Sequence, residues 1–360
     1  MNNSTQILYK EAVALLQQLI ATPSFSKEEN HTADIIEQFL QKKSVNVSRL
    51  ENNVWAKNKY FNESKPTILL NSHHDTVKPN KGYTKDPFQA IEEEKKLFGL
   101  GSNDAGGCLV SLIAAFLHYY ERKDLQYNLI IAASAEEEIS GKNGIELLIP
   151  HLPPVSFAIV GEPTLMNMAI AERGLMVLDC TAEGIAGHAA RNEGENALYK
   201  AMSDINWVHN FHFNRISPFL GPVKMTVTVI ETENKAHNVV PAQCKFVIDV
   251  RVNELYTFEE ILDTIRMNIL SRVSPRSTRL RSSIIPLEHP VVQAGIKMGK
   301  SYYGSPTTSD KALMPFPALK IGPGDSARSH TADEFIYLEE IENGIKDYIN
   351  LLNYCITEKP

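Results

Sequence analysis

Three short runs constrain this chain more than anything else in it. They are "TILLNS" (Thr67–Ser72), "NLIIAAS" (Asn128–Ser134) and "SFAIVG" (Ser156–Gly161). Each is apolar without a polar alternation, the pattern of a strand covered on both faces rather than one. Between the first two lies "AGGCLVSLIAAFLHYY", which reads as a buried helix. Buried strands alternating with helices predict an α/β layer. The run "PALKIGPG" adds another strand late in the chain, and the tail from Leu338 reads as a closing helix.

The middle of the chain has a different texture. "GLMVLDCTAEG" is a strand ending at glycine. "NALYKAMSDINWVHNF" is helical, with Leu198, Ala201, Ile205 and Val208 on one side. "VKMTVTVIE" alternates, so that Val223, Met225, Val227 and Val229 share a face, and "CKFVIDVRV" alternates through Cys244, Phe246, Ile248 and Val250. "TFEEILDTIRMNILSRV" is a second helix, opened by the capping box Thr257-x-x-Glu260. "RLRSSII" reads as the last strand. The order β-α-β-β-α-β is a split-βαβ arrangement: a four-stranded antiparallel sheet with two helices. With 360 residues, two domains are favoured over one core. The expected organisation is an α/β catalytic domain of residues 1–170 and 285–360, a mixed sheet flanked by helices, interrupted by an inserted α+β domain of residues 171–284.

Composition excludes some functions. A net charge of −7 argues against a nucleic-acid partner. No run approaches 18 uninterrupted apolar residues, so no membrane span is expected. The first twenty residues lack a basic n-region and a small-residue cleavage site and read as an amphipathic helix. Cys108, Cys180, Cys244 and Cys355 are widely spaced without a CxxC and read as free thiols of a reducing compartment, the cytoplasm.

Ionisable residues gather just beyond the α/β strands. "TILLNS" runs into His73, His74 and Asp75; "NLIIAAS" into Glu136, Glu137 and Glu138; "SFAIVG" into Glu162; "PALKIG" leads through "PGDSARS" to His330. Asp104 stands in "GLGSNDAGG", just before the buried helix. Ligand sites of open α/β sheets collect outside the carboxyl ends of the strands. Each residue alone has an ordinary explanation: an interior histidine, a helix cap at Asp104, a solvated turn at "AEEE", a turn at Glu162-Pro163, a surface His330. Their common position at strand ends is what those explanations miss. Histidine and carboxylate ligands without cysteine suit Zn²⁺, with Mn²⁺ or Co²⁺ compatible with the same donors. More than three ligands with a spare carboxylate point to two metals.

The motifs "NSHHDTV", "FGLGSNDAGG", "SAEEEISG", "VGEPT" and "GPGDSARSHTADEF" come in the order and approximate spacing of a two-zinc metallohydrolase family. The chain resembles this family over nearly its whole length. The family contains acetylornithine deacetylase, succinyl-diaminopimelate desuccinylase, glutamate carboxypeptidase and related aminoacylases and dipeptidases. The resemblance implies two zinc ions. His73 and Glu162 would ligate one, Glu138 and His330 the other, and Asp104 would bridge. Asp75 would orient His73, and Glu137 would be the general base. It further implies that the inserted domain is a lid and dimerisation domain of a homodimer. There His188 would reach across the dimer to the substrate carbonyl, and Asn238 and Arg251 would contact the substrate carboxylate. Two positions depart from the family pattern: Glu136 stands where the family has Asp, and Ser72 where it has Gly. The doubled His73-His74 raises a question of register, which the His-x-Asp spacing answers in favour of His73 with Asp75.

The implied activity is hydrolysis of the amide of an N-acyl amino acid by a metal-activated water. The uninterrupted "GEPT" and compact size lean toward acetylornithine deacetylase-like enzymes of arginine or lysine synthesis. A dipeptidase or aminopeptidase on the same scaffold, carboxypeptidase-like in its use of two zincs, is the alternative.

Overall fold

The computed structural model of the chain describes residues 3–191 and 193–357. It resolves into two compact units, one of residues 1–170, 285–303 and 309–360, the other of 171–284 and 304–308.

The first unit is built on the apolar runs. Helices α1 (Asn3–Ile20) and α2 (Asn30–Lys42) lead to strands β1 (Val47–Leu50), β2 (Asn53–Lys57) and β3 (Thr67–His73). Helix α3 (Gly107–Tyr119) connects to β4 (Asn128–Ser134), followed by β5 (Phe157–Val160) and β6 (Met168–Glu172). Their order across the sheet is β1-β2-β4-β3-β5, then the late strand Ala318–Lys320, then β6. Strands β4, β3, β5 and Ala318–Lys320 run parallel; the flanking pairs are antiparallel, so the sheet is mixed. Every residue of β3, β4 and β5 is buried, as their unbroken apolar character requires. Helix α3 packs against β3 and β4 and against α1 and the closing helix Leu338–Thr357. Leu69, Ile130, Ala132, Ala158 and Val160 form a further core with Ile145 and Leu148. The sheet leaves the ends of β3, β4 and β5, which carry His73, the Glu136–Glu138 turn and Glu162, side by side: His73 pairs with Ser134 and Asn71 with Val160.

The second unit contains β7 (Gly174–Glu183), α4 (Ala197–Asn210), β8 (Lys224–Thr232), β9 (Gln243–Val252), α5 (Phe258–Asn268) and β10 (Arg272–Pro275). Its sheet order is β8-β9-β7-β10, antiparallel throughout. Alternate residues Met176, Leu178 and Cys180 of β7 and Cys244, Phe246, Ile248 and Val250 of β9 meet Ala201 and Val208 of α4 and Ile261 and Ile265 of α5 in one core. The capping box is formed: Glu260 N donates to Thr257 Oγ1 at 3.2 Å and Thr257 N to Glu260 Oε2 at 2.8 Å, a cap that stabilises a helix by about 1 kcal/mol.

Two details of this unit differ from the sequence reading. The closing strand is Arg272–Pro275, which begins within the last two residues of the stretch read as helix, and not "RLRSSII", of which only Ser283–Ile284 is strand, paired with Ala171 and Glu172. The cause is Asp204 of α4. Its buried carboxylate accepts Leu270 N at 3.1 Å, Ser271 N at 2.9 Å and Ser271 Oγ at 2.6 Å. The backbone is drawn out of the helix at Ile269, and Val273 drops into the core opposite Cys180. The alternation of β8 also fails midway. A bulge between Val227 and Val229 shifts the register, so Val229 is 48% exposed instead of sharing the inner face.

Candidate metal centre

His73 ends β3 with its ring 1% exposed. Its Nδ1 lies 3.0 Å from the backbone oxygen of Asp75, which fixes the ring, and its Nε2 points into a ring of carboxylates. Nε2 is 3.3 Å from Asp104 Oδ1, 3.8 Å from Glu137 Oε2 and 3.9 Å from Glu162 Oε1. The other oxygen of Asp104 faces elsewhere: Oδ2 is 3.7 Å from His330 Nε2, which is 2.9 Å from Glu138 Oε2. One carboxylate thus presents an oxygen to each of two lobes, His73 with Glu162 and His330 with Glu138. Donor atoms of His73, Asp104 and Glu138 lie within 4.8 Å of one another, as do those of His73, Glu137 and Glu162.

His74 lies outside this ring of carboxylates. It stands one residue past β3, and its ring is satisfied by Thr32 Oγ1 and Asn52 O, both at 2.9 Å. Burial pushes its pKa down to about 4, so it is a neutral core histidine.

The turn after β4 brings the three glutamates to different places. Glu136 is left-handed, at φ 53°, and its side chain leaves the carboxylate ring. Its oxygens accept Asn143 Nδ2 at 2.9 Å and Asn143 N at 3.3 Å, and its own N–H donates to Glu29 Oε1 at 3.1 Å. The extra methylene relative to Asp is used to reach Asn143. Glu137 and Glu138 then face the ring, their backbone N–H groups held by Asp75 Oδ1 at 2.9 Å and Oδ2 at 3.2 Å. Asp75, which Ser26 Oγ also contacts at 2.6 Å, therefore grips the glutamate turn as well as standing 3.5 Å from His73 Nδ1.

Charges in the ring perturb one another. Burial pushes the Glu137 carboxyl well up, with Glu162, Asp310 and Glu138 adding to it and His73 opposing. Burial disfavours a charged His73, yet Glu137, Asp104, Asp75 and Glu162 hold its pKa well above the imidazole value. The Glu138 hydrogen bond raises His330 to about 9. Among these six side chains four are carboxylates and two are imidazoles, so even two imidazolium rings leave negative charge in excess. Two divalent cations would balance it, and the donor set, nitrogen and carboxylate oxygen without thiolate, suits Zn²⁺, Co²⁺ or Mn²⁺. Cys108 stays out: its thiol is buried against Pro323 O at 3.1 Å.

Sequence reasoning missed three buried carboxylates around this ring. Asp310, in "TTSDKA", accepts Ser134 Oγ at 2.6 Å and Asn71 Nδ2 at 2.8 Å, and burial raises its pKa to about 6. Glu29 holds the Glu136 N–H. Glu334, within the quoted "HTADEF", accepts the N–H groups of Gly101, Asn103 and Asp104. Burial, with the Asp104 charge, lifts it to about 8 against those three bonds. Glu334 alone stood within a quoted motif; Glu29 and Asp310 are isolated acids far from any, and neither situation carries a period.

The other expected site residues lie in the second unit. His188 and Asn238 come together there: Gly187–His188 pairs with Val239–Val240, and Ala189 N donates to Asn238 O at 2.9 Å. Both side chains are exposed. Arg251, on β9, is bound by its neighbour Asp249, at 2.8 and 3.1 Å.

With this geometry in place, comparison with known proteins is decisive on family. The sequence model described as Peptidase family M20/M25/M40 matches residues 69–354. The chain belongs to that family. It is accordingly a hydrolase, and M20/M25/M40 relatives span most of it. Succinyl-diaminopimelate desuccinylase 2 of Ruegeria sp. (strain TM1040) is 25% identical over 272 residues, 70% of this chain and 68% of that protein. Succinyl-diaminopimelate desuccinylase of Rickettsia bellii (strain OSU 85-389) is 26% identical over 264 residues, 68% of each chain. Among solved structures, aminopeptidase PepT of Bacillus cereus superposes with a TM-score of 0.77 at 15% identity, covering 96% of this chain and 98% of that one. The Bacillus subtilis YXEP protein, described as a dinuclear metal binding peptidase from the M20 family, gives 0.73 at 15% identity over 97% and 98%. At such identity these two show a shared fold alone, and in this chain that fold has the mixed sheet and a separate four-stranded antiparallel sheet. No helix among the described residues is long and apolar enough to cross a membrane.

Proposed function

We propose that the chain is a two-metal amidohydrolase that removes an acyl group, acetyl or succinyl, from the amine of an amino acid. The observation that carries this reading is Asp104, whose two oxygens face His73 and His330 separately, with the Glu137 carboxyl beside them. His73 and Glu162 would hold one ion, Glu138 and His330 the other, with Asp104 shared; zinc is the natural choice, and cobalt or manganese suit the same donors. When bound, such ions lower the pKa of water and polarise the scissile carbonyl.

The chain's own residues then divide the work. Glu137 takes the proton of the attacking water and passes it to the nitrogen as the C–N bond breaks, releasing a carboxylate and an amine. Its burial supports this role, because a carboxyl raised from its usual range is a better base near neutral pH. Asp75 positions Glu137 and Glu138 through their backbone N–H groups. Across a homodimer, His188 would donate to the developing oxyanion, and Asn238 and Arg251 would bind the substrate carboxylate; a guanidinium already oriented by Asp249 suits a bidentate acid.

The desuccinylase relatives favour an N-succinyl diamino acid and a step of lysine synthesis over the N-acetylornithine of arginine synthesis toward which "GEPT" leans. A homodimer through the inserted unit is supported by its outer strand β8, which exposes Val229 and Ile230, and by Tyr199 and Met202 on α4, 69% and 55% exposed. Four buried free thiols suit a reducing cytoplasm.

The test is a panel of N-succinyl and N-acetyl amino acids and unblocked dipeptides, assayed with Zn²⁺ or Co²⁺. Hydrolysis of acyl amino acids supports the proposal; cleavage of free dipeptides alone replaces it with a dipeptidase.

A further inference from the structure

We propose that Glu334 is a positioning residue that assembles the Asp104 loop before any metal arrives; the inference rests on the two-metal reading above. Glu334 is 2% exposed and lies four residues after His330. Its Oε1 accepts Asn103 N and Asp104 N, each at 2.9 Å, and its Oε2 accepts Gly101 N at 3.1 Å. Its backbone oxygen accepts Gly99 N at 2.9 Å. Gly101 is left-handed, at φ 74°, which turns successive N–H groups of the loop toward one point. The same segment grips the loop a second time. Asn103 exchanges two hydrogen bonds with the backbone of Asp325, both at 3.0 Å. The segment that delivers His330 therefore clasps the loop that delivers Asp104, and the spacing between the two ligands is set by protein alone.

A carboxylate accepts on both oxygens, as the N–H groups of Gly101, Asn103 and Asp104 require, but it also places a second negative charge beside Asp104, where like charges repel. A carboxylate becomes favourable where cations sit on Asp104, because its charge then adds to the field that holds them. Groups supporting metal ligands from behind change metal affinity or activity by roughly 10- to 100-fold when altered.

The experiment uses Glu334→Gln, which keeps the size, removes the charge and turns an NH₂ toward an N–H. Zn²⁺ and Co²⁺ affinities of the metal-free protein are measured by chelator competition, and folding is followed by circular dichroism. The expected result is a folded variant whose ion affinity is lower by roughly 10- to 100-fold, with KM at saturating metal within about twofold of wild type. In metal-free wild type, the amides of Gly101, Asn103 and Asp104 are expected to be protected from hydrogen exchange. That measurement decides the matter if the variant does not fold. Wild-type ion affinity in Glu334→Gln, or unprotected amides in the metal-free wild type, overturns the role of Glu334 while leaving the metal site standing. A wild type that takes up neither ion overturns both.

Discussion

The carboxylate of Asp75 accepts the backbone N–H of Glu137 at 2.9 Å while standing 3.5 Å from the ring nitrogen of His73. One buried group thus ties the strand-end histidine to the turn that carries the acid cluster. In Asp75→Asn the amide oxygen can take the place of Oδ1, but the NH₂ must then face the Glu138 N–H that Oδ2 accepts at 3.2 Å. We expect kcat to fall roughly 10- to 100-fold, with a smaller change in KM. Steady-state kinetics at saturating metal checks this, and a kcat within twofold of wild type would remove Asp75 from the positioning network.

Glu137 and Glu138 are neighbours with different assignments, and substitution separates them. Glu137→Gln should keep its metals and lose turnover by about 10²- to 10⁴-fold, the usual contribution of a positioned base. Glu138→Gln should lose an ion. Metal content by elemental analysis, paired with turnover, distinguishes the two. Loss of metal in Glu137→Gln would make Glu137 a ligand, which its 3.8 Å approach to His73 also permits geometrically.

The pH dependence of the metal-free protein follows from His330. Its pKa is raised by Glu138 from the unfolded value near 6.5 to about 9. The stabilisation is therefore fully present below pH 6.5 and is lost as pH rises through 9. Thermal unfolding of the metal-free protein should show this decline between those values, and His330→Gln should reduce its slope, the raised Glu137, Glu334 and His73 supplying the rest. The effect is small because the ring is 54% exposed and solvent screens it. A metal must displace this proton, so ion affinity should rise over the same interval.

Gly141 tests the turn from the other side. A Cβ there would lie 2.5 Å from Glu136 Cβ and 1.9 Å from its Oε2. Gly141→Ala should cost about 1–3 kcal/mol by overpacking, measurable by urea unfolding, and should lower kcat by displacing Glu137. A variant with wild-type stability would mean that Glu136 is free to leave Asn143.

The parts of this fold that were readable are those in which burial writes itself into residue type. Strands β3, β4 and β5 are buried on both faces, so their sequences are unbroken apolar runs, and polar groups at their ends stand out. The capping box at Thr257 is local chemistry and was equally visible. What was not readable depends on one distant side chain. Asp204 ends α5 by capturing Leu270 and Ser271 across 66 and 67 residues, and no propensity in "NILSRVSP" records it. The bulge at Val229 breaks an alternation whose residue types would fit either face. Glu334, Glu29 and Asp310 act on backbone N–H groups or on small polar side chains, which any sequence offers. Glu136 was open because the sequence names its neighbours but not Asn143.

The adjacent histidines at the end of β3, His73 in the strand and His74 just beyond it, also give the protein two separate reporters. His74 is buried against Thr32 and Asn52 and protonates only near pH 4, whereas His73 faces the carboxylates. In a nuclear magnetic resonance spectrum the His74 ring signals should stay fixed from pH 6 to 9 and move only if the strand loses its packing. Those of His73 should move when an ion enters. One residue step off the end of a strand thus separates a gauge of folding from a gauge of metal loading, and both can be read in a single sample.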